Sequence, residues 1–212
     1  MPERQRGKAF RGFARGRPAG GSALIEMVMF FSLAGPLLMG LTSVGIRLGR
    51  GIQATQVTRD VGHMYALGAD FTLTGTQAIA STLASSFDLS GTGNTVLILS
   101  RLTKVSQVDC TAAALKTCPN LDQPVFTQRI VMGNASLRSS NYGTPPTQYI
   151  GTQGNIASVD YCQQTALIAT GFEAVISLSE DQVTWLVEGY FSMPDLNPIG
   201  GSSQGVYVRL LF

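Results

Sequence analysis

The sequence predicts an α+β protein in which one long N-terminal helix packs on a small antiparallel β-sheet. Three observations lead to this prediction. Segment 27–46 is apolar and carries no charge, residues 47–70 continue it with an amphipathic pattern, and five short apolar segments follow between residues 95 and 212. A helix with one apolar side and a sheet with one apolar face bury these surfaces against each other.

Composition and charge narrow the class of protein. The chain has 212 residues, enough for one domain and an anchoring segment. Charged residues make up 13%, about half the usual share, which argues against a disordered chain or a coiled coil. His63 is the only histidine, so sites that need two imidazoles are excluded. We expect no catalytic residues, no cofactor and no metal, and therefore a protein that is not an enzyme.

The first half of the predicted helix covers residues 22–46 and contains the twenty-residue apolar segment 27–46. A helix of this length reaches about 30 Å, the thickness of the hydrocarbon core of a bilayer. A buried core helix is the alternative, but a core helix without any charge is unusual in a chain of this size. A cleaved secretory signal has a shorter apolar region and a small-x-small cleavage site. We therefore expect a single membrane-spanning helix.

The basic N-terminal segment 1–21 sets the expected orientation. It holds six of the 15 Lys and Arg residues but only one of the 13 Asp and Glu residues. Positive charge before a membrane span keeps the N-terminus in the cytoplasm, which places the C-terminal domain outside. Beside a span, this segment is better explained as an orientation signal than as a nucleic-acid-binding arm, so no nucleic acid partner is expected.

Residues 47–70 are predicted to continue the same helix with one apolar side, to about residue 69. Leu48, Ile52, Val57 and Val61 recur at helical spacing, although several glycines weaken the pattern. Pro36 lies inside the first half of the helix. Proline removes a backbone hydrogen bond and clashes with the preceding turn, so a kink is predicted there.

Segment 20–26, GGSALIE, resembles the processing site of type IV prepilins, which a prepilin peptidase cuts after a small residue. The resemblance implies cleavage between Gly21 and Ser22, so that Glu26 becomes the fifth residue of the mature chain. It also makes Glu26 an assembly contact. In an apolar assembly its carboxylate can neutralise the new α-amine of a neighbouring subunit.

Three segments together resemble the TadE-like family, the minor pseudopilins of the tight-adherence (Flp) branch of type IV pili. They are GSALIEMVMFF at 21–31, GIRLGR at 45–50 and TRDVG at 58–62. Met27 departs from the family pattern, in which phenylalanine is common at this position. The resemblance implies a pilin-like fold and a bacterial inner-membrane protein with a periplasmic domain, which can also enter an extracellular pilus. The implied partners are prepilin peptidase, other pilins contacted through the N-terminal helix, the inner-membrane assembly platform and membrane lipid.

Two other functions remain open at this point. The first is a minor pseudopilin of a type II secretion system, which shares the cleavage motif and the helix. The Gly-Arg and Arg-Asp-Val-Gly stretches favour the tight-adherence branch. The second is an uncleaved single-pass membrane protein with a periplasmic binding or enzymatic domain. The N-terminal residue of the mature chain separates this second function from both kinds of pilin.

The region 71–212 is predicted to form the domain outside the membrane. A short helix is expected at 77–87 and strands at 95–105, 125–132, 172–178, 184–191 and 206–212. Segment 172–178 has the most regular alternation of apolar and polar residues. Residues 133–160 are polar and rich in glycine and proline. We expect them to form a long exposed insertion and a candidate contact surface.

The three cysteines, Cys110, Cys118 and Cys162, suit a compartment that permits disulfides. A bridge between Cys110 and Cys118 would close a short loop and contribute about 2.5 kcal/mol on the loop-entropy estimate. We favour this pair, which leaves Cys162 as a buried thiol or an intermolecular link. Pairing of Cys162 with Cys110 or with Cys118 remains an alternative.

Overall fold

The long helix, a short second helix and four of the five predicted strands occur in the predicted order, and two further short helices occur that no sequence pattern predicts. The computed structural model describes residues 20–180, 182–193 and 205–212, so most of the basic segment 1–21 lies outside the described residues. Four helices and four strands make up the described fold: α1 Gly20–Ala66, α2 Thr74–Leu83, β1 Thr95–Lys104, α3 Gln107–Ala112, β2 Pro124–Gly133, α4 Ser158–Gln163, β3 Val183–Ser192 and β4 Gly205–Leu211. The α+β prediction is confirmed.

The chain divides into two units, one ending at Gly45 and the other comprising Ile46–Phe212. The described part of the first unit is the N-terminal half of α1. The second unit contains the rest of α1, the other helices and the sheet. Helix α1 passes Pro36 without interruption. The kink at this residue stays a prediction.

Helix α1 ends because Gly68 adopts a left-handed conformation, with φ of 90°. The N–H of Gly68 donates to the carbonyl of Tyr65, and the N–H of Ala69 donates to the carbonyl of Met64. These two bonds form a Schellman motif, which satisfies carbonyls that the helix end would otherwise leave unpaired. The turn directs the chain into α2, three residues earlier than the sequence pattern predicts.

The sheet has the strand order β2-β1-β3-β4, and every neighbouring pair is antiparallel. The central strand β1 is paired on both sides: Leu99 lies opposite Ile130 of β2 and opposite Val187 of β3. A register shift separates Arg101 from Leu102 along the β1–β2 pair. The four strands match four of the five predicted segments to within two residues at each end.

The second half of α1 covers one face of this sheet. Ala54, Val57, Val61 and Tyr65 are buried against a set of sheet residues. The main members of that set are Leu97, Leu99, Val187 and Phe191. The predicted packing of the amphipathic segment on the sheet is thus confirmed.

Two glycines allow the helix to approach the sheet closely. A Cβ atom on Gly189 of β3 would lie 2.6 Å from the Thr58 hydroxyl of α1. A Cβ atom on Gly62 would lie 2.2 Å from the Phe212 ring. Because real Cβ atoms do not come this near to other atoms, a larger residue at either position would force the neighbouring side chain or the helix to shift.

The opposite face of the sheet is covered by the connection from β2 to β3. A second apolar cluster joins Leu102, Phe126 and Leu186 of the sheet to Tyr142, Ile156 and Phe172 of the connection, among other residues. Residues 133–160 therefore do not form an exposed insertion throughout. Their polar composition predicts exposure, but a few apolar side chains spaced along the segment are enough to hold it on the sheet.

Segment 172–178 is not a strand, which makes the most regularly alternating prediction wrong. Gly171 has φ of 74°, and Phe172–Ala174 forms a 3₁₀ turn. Phe172 and Leu178 are buried in the second cluster, so the apolar spacing reflects packing from a loop rather than strand pairing. The outer edge of β2 forms isolated bridges from Val125 and Gln128 to residues of the β2–β3 connection.

Candidate functional sites

The N-terminal half of α1 presents apolar side chains in every direction. Large exposed residues occur along the whole of segment 24–46, and Leu33 is 77% exposed. This helix is long and apolar enough to cross a membrane, by length and composition, and its most apolar window is not buried at all within the described fold. Exposed apolar surface on this scale is unfavourable in water.

Polar groups on this half of the helix are satisfied locally. The Ser32 hydroxyl donates to the carbonyl of Met29 at 2.8 Å, and the Thr42 hydroxyl donates to the carbonyl of Leu38 at 2.9 Å. Such bonds to the preceding turn remove the cost of placing a hydroxyl in an apolar medium. Glu26 is the one charged side chain in segment 24–46.

The structure places the predicted processing residues together at the start of α1. The helix begins at Gly20, so the bond between Gly21 and Ser22 lies in its first turn. Glu26 lies about 6 Å beyond Ser22 along the axis, given a rise of 1.5 Å per residue. Its side chain is exposed. Within the described ranges no cationic group lies at ion-pair distance from Glu26.

The second candidate site is the cysteine cluster, in which Cys110 and Cys118 form a disulfide with a Cα–Cα distance of 5.9 Å. The favoured pairing is confirmed. Cys110 lies on α3, which a capping box between Ser106 and Asp109 starts. Cys162, on α4, is fully buried and remains a thiol. The three sulfur atoms all lie within 4.8 Å of one another.

Burial raises the pKa of the Cys162 thiol to about 11, and the negative charge of Asp109 adds to this effect. Since the thiolate is the reactive and metal-binding form of cysteine, Cys162 is an inert thiol at neutral pH. A cluster of one disulfide and one protonated thiol stabilises the fold around α3 and α4. Within the described residues no histidine or carboxylate completes this sulfur group as a metal-ligand set.

The sequence analysis missed a buried ion pair on the sheet face opposite α1. Arg129 and Glu188 are 4% and 1% exposed, and a guanidinium nitrogen lies 4.0 Å from a carboxylate oxygen. Arg129 gives no local signal, since its alternate neighbours along β2 are Thr127 and the exposed Val131, whereas Glu188 stands inside the mostly buried strand β3. Charged residues in such positions are almost never buried without a partner.

Neighbouring groups bond to both members of the ion pair, although the buried Arg129 Nε has no hydrogen-bond partner among the described residues. Glu188 accepts hydrogen bonds from the Ser140 hydroxyl, from the Asn141 N–H at 3.1 Å and from the Tyr207 hydroxyl at 2.6 Å. Arg129 donates to the Ser100 hydroxyl at 2.9 Å and to the carbonyl of Gly143. These contacts fasten the loop after β2 to the sheet.

Two opposing effects act on the Arg129 guanidinium. Burial lowers its pKa to about 10, although the Glu188 charge opposes the shift. The group therefore remains charged at neutral pH. Burial also raises the pKa of Tyr207, and its hydrogen bond to Glu188 adds to the rise. Tyr207 thus stays a neutral donor to the carboxylate.

Comparison of the chain with family models, curated protein sequences and solved structures found no match. The functional argument therefore rests on the motif at 20–26, the apolar helix and the geometry of the folded domain.

Proposed function

We propose that this chain is a pilin-like minor subunit of a tight-adherence-type pilus assembly system. The observation that carries the proposal is the apolar half of α1, which is exposed on all sides, begins at the GGSALIE segment and leads without a break into a folded domain. Such a helix supplies an adhesive surface for like helices, while the domain stays in water. The subunit acts by assembly and not by catalysis.

Processing is the first step of the proposed function. Prepilin peptidase adds water across the peptide bond between Gly21 and Ser22, which releases the basic leader and leaves an α-amine on Ser22. The two glycines at positions 20 and 21 have low helix propensity, so the first turn of α1 unwinds at little cost to present the bond. The leader has by then fixed the orientation of the chain in the bacterial inner membrane.

Glu26 is assigned to the assembly step. A carboxylate at the centre of a bilayer costs about 2.5–3.5 kcal/mol, and less near the end of a span. In a bundle of like helices, the Ser22 amine of a neighbouring subunit offsets this cost by neutralising the charge. The Glu26 carboxylate and the Ser22 amine can pair only when neighbouring subunits are staggered along the helix axis. The pairing therefore also selects the register of assembly.

The N-terminal residue of the mature chain tests the processing step. The full chain is produced with an active prepilin peptidase, or with an inactive variant of the peptidase as the control. Intact mass and N-terminal sequencing are then measured on protein extracted from the membrane. We expect the active enzyme to give a chain that starts at Ser22. A chain that keeps residues 1–21 in both cases would refute the proposal and support an uncleaved membrane protein.

The Glu26→Ala variant tests the assembly step, with Ser32→Ala as a matched change on the same exposed helix. We expect Glu26→Ala to lower incorporation into pili, measured as the fraction of the subunit in sheared filaments. Resistance to alkaline extraction should show that both variants still enter the membrane. Normal incorporation of Glu26→Ala would disprove the pairing role. Recovery of the subunit with type II secretion components instead would assign it to that system.

A further inference from the structure

A polar cavity of about 260 Å³ lies where α1 ends against the sheet. Its walls come from three parts of the second unit: the end of α1 with the following turn, strands β1, β2 and β3, and the 3₁₀ turn Thr152–Gly154 with its next residue. The side chains that matter for the argument are Asp70, Arg101, Gln128, Gln153, Asn155 and Trp185. Neither the ion pair nor the cysteine cluster contributes to it.

The Arg101 guanidinium is held in place but not neutralised. Its Nε donates to the Thr127 hydroxyl at 3.1 Å, and one Nη donates to the Asn155 side-chain oxygen at 3.3 Å. Among the residues that the structure describes, no carboxylate lies at ion-pair distance from Arg101. Its other terminal nitrogen is therefore available to a ligand, with the orientation already fixed.

The two glutamines are also fixed before any ligand binds. The Gln128 side-chain oxygen accepts from the Tyr65 hydroxyl at 2.9 Å, and its nitrogen donates to the carbonyl of Gln153 at 2.7 Å. Gln153 has φ of 58°, and the next residue, Gly154, has φ of 71°. Glycine adopts this left-handed conformation freely, but for Gln153 it is costly and persists only where the surrounding structure enforces it.

Asp70 supplies a fixed negative group in the wall of the cavity. One of its oxygens accepts from the N–H of Thr72 at 2.9 Å and from the Thr72 hydroxyl at 2.6 Å. These bonds lower the pKa of Asp70, so the group is a carboxylate at neutral pH. The cavity thus offers a fixed donor at Arg101, a fixed acceptor at Asp70 and the side-chain amides of Gln153 and Asn155.

We propose that this cavity binds one sugar residue. A sugar ring has flat patches of C–H groups and a rim of hydroxyls, each of which donates and accepts. The Trp185 indole supplies a flat apolar surface, and the remaining atoms of the guanidinium, amide and carboxylate groups can each bond to a hydroxyl of the ring. The volume is below the roughly 300 Å³ at which pockets for drug-sized ligands begin, which suits one ring rather than a chain.

The charges argue against an anion as the ligand. A phosphate or carboxylate bound to Arg101 would lie in the same small cavity as the Asp70 carboxylate, and like charges at this range repel. A neutral hydroxyl rim meets both groups without that repulsion. The proposal does not depend on the pilin assignment, since every lining residue belongs to the folded unit Ile46–Phe212 and none to the apolar half of α1.

Trp185 is the only tryptophan of the chain, so its fluorescence reports on this cavity alone. The full chain is titrated, in a detergent without a sugar headgroup, with the methyl glycosides of glucose, galactose and N-acetylglucosamine. We expect a saturable change with at least one of them, at a dissociation constant of about 1 mM for a ligand of this size. Saturation-transfer NMR on the sugar gives a second measurement that does not depend on fluorescence.

Variants separate this site from general binding. Arg101→Met and Asn155→Ala should each weaken binding by at least about tenfold, since each removes a hydrogen-bonding group. Gln56→Ala, in a separate cleft between α1 and α2, should leave binding unchanged. Trp185→Phe keeps an aromatic ring for stacking but removes the fluorophore, so its binding is measured by NMR. We expect binding to persist in this variant, which keeps the test usable if the other variants fail to fold.

Three results would overturn the proposal. The first is no saturable change in either measurement up to roughly 100 mM sugar. The second is unchanged binding by folded Arg101→Met and Asn155→Ala. The third is an equal response to acetate or phosphate, which would make the cavity an anion site.

Discussion

Replacing Glu188 by alanine would leave the Arg129 guanidinium buried without its carboxylate. The same change removes the acceptor for the Ser140 hydroxyl, the Asn141 N–H and the Tyr207 hydroxyl. Losing one partner of a buried ion pair costs about 3–5 kcal/mol. Because Asn141 is exposed and can bond to water, we do not add a separate penalty for each donor. We expect a loss of about 4 kcal/mol in the free energy of unfolding.

Urea unfolding of the full chain in detergent micelles measures this loss. Trp185 is the reporter, and since the apolar span contains no tryptophan, the signal follows the folded domain. Asp122→Asn is the control, because the exposed pair of Lys104 and Asp122 spans 3.8 Å at the surface. Breaking an exposed pair of this kind costs at most about 1 kcal/mol.

A double variant separates the ion pair from general packing. Arg129→Met should be destabilising by itself, but in the Glu188→Ala background it removes the unpaired charge. The double variant should therefore lose at least about 1 kcal/mol less than the sum of the single losses. The reasoning would be refuted if Glu188→Ala cost less than about 1 kcal/mol, or if the two losses were simply additive.

Three further predictions follow from close contacts. Gly189→Ala should destabilise the fold by about 1–3 kcal/mol in the same urea assay, and adding Thr58→Ala should recover part of the loss, because the hydroxyl is the nearest obstacle. Cys110→Ser that is unfolded and refolded with oxidised glutathione as the oxidant should yield a disulfide between Cys118 and Cys162, detected by peptide mass mapping, since the sulfurs lie within 4.8 Å; a reduced product would contradict this. Alkylation of Cys162 in the folded wild-type chain should be slow at pH 7 and should accelerate as the pH rises towards about 11, because only the thiolate reacts; fast labelling at pH 7 would show that the thiol is neither buried nor protonated.

Sequence patterns predicted the elements whose residues are close together in the chain. The long helix and four strands were found because their apolar residues recur with a helical or alternating period. The Cys110–Cys118 pair was favoured because of its short loop. Segment 172–178 shows the limit of this reasoning, since apolar residues that pack from a loop can repeat at the spacing of a strand.

The folded sites depended on contacts that no local pattern contains. Arg129 lies on β2 and Glu188 lies on β3. These strands are far apart in the chain, but both pair with β1, so the two side chains can meet on one face of the sheet. The cavity assembles Asp70, Arg101 and Trp185 from distant parts of the chain. In contrast, the motif at Gly21, Ser22 and Glu26 is local, so the sequence alone carries it and the structure adds only its place at the start of α1.

The strand order sets a sequence of events during synthesis. Strands β1 and β2 are neighbours in the chain and can pair early, but β1 also requires β3, as in the pairing of Thr95 with Phe191. Contacts over such separations form slowly, and the domain cannot close until the ribosome has made β3. The apolar half of α1, by contrast, leaves the ribosome first. A chain built in this order presents its apolar helix before the domain that follows it can fold.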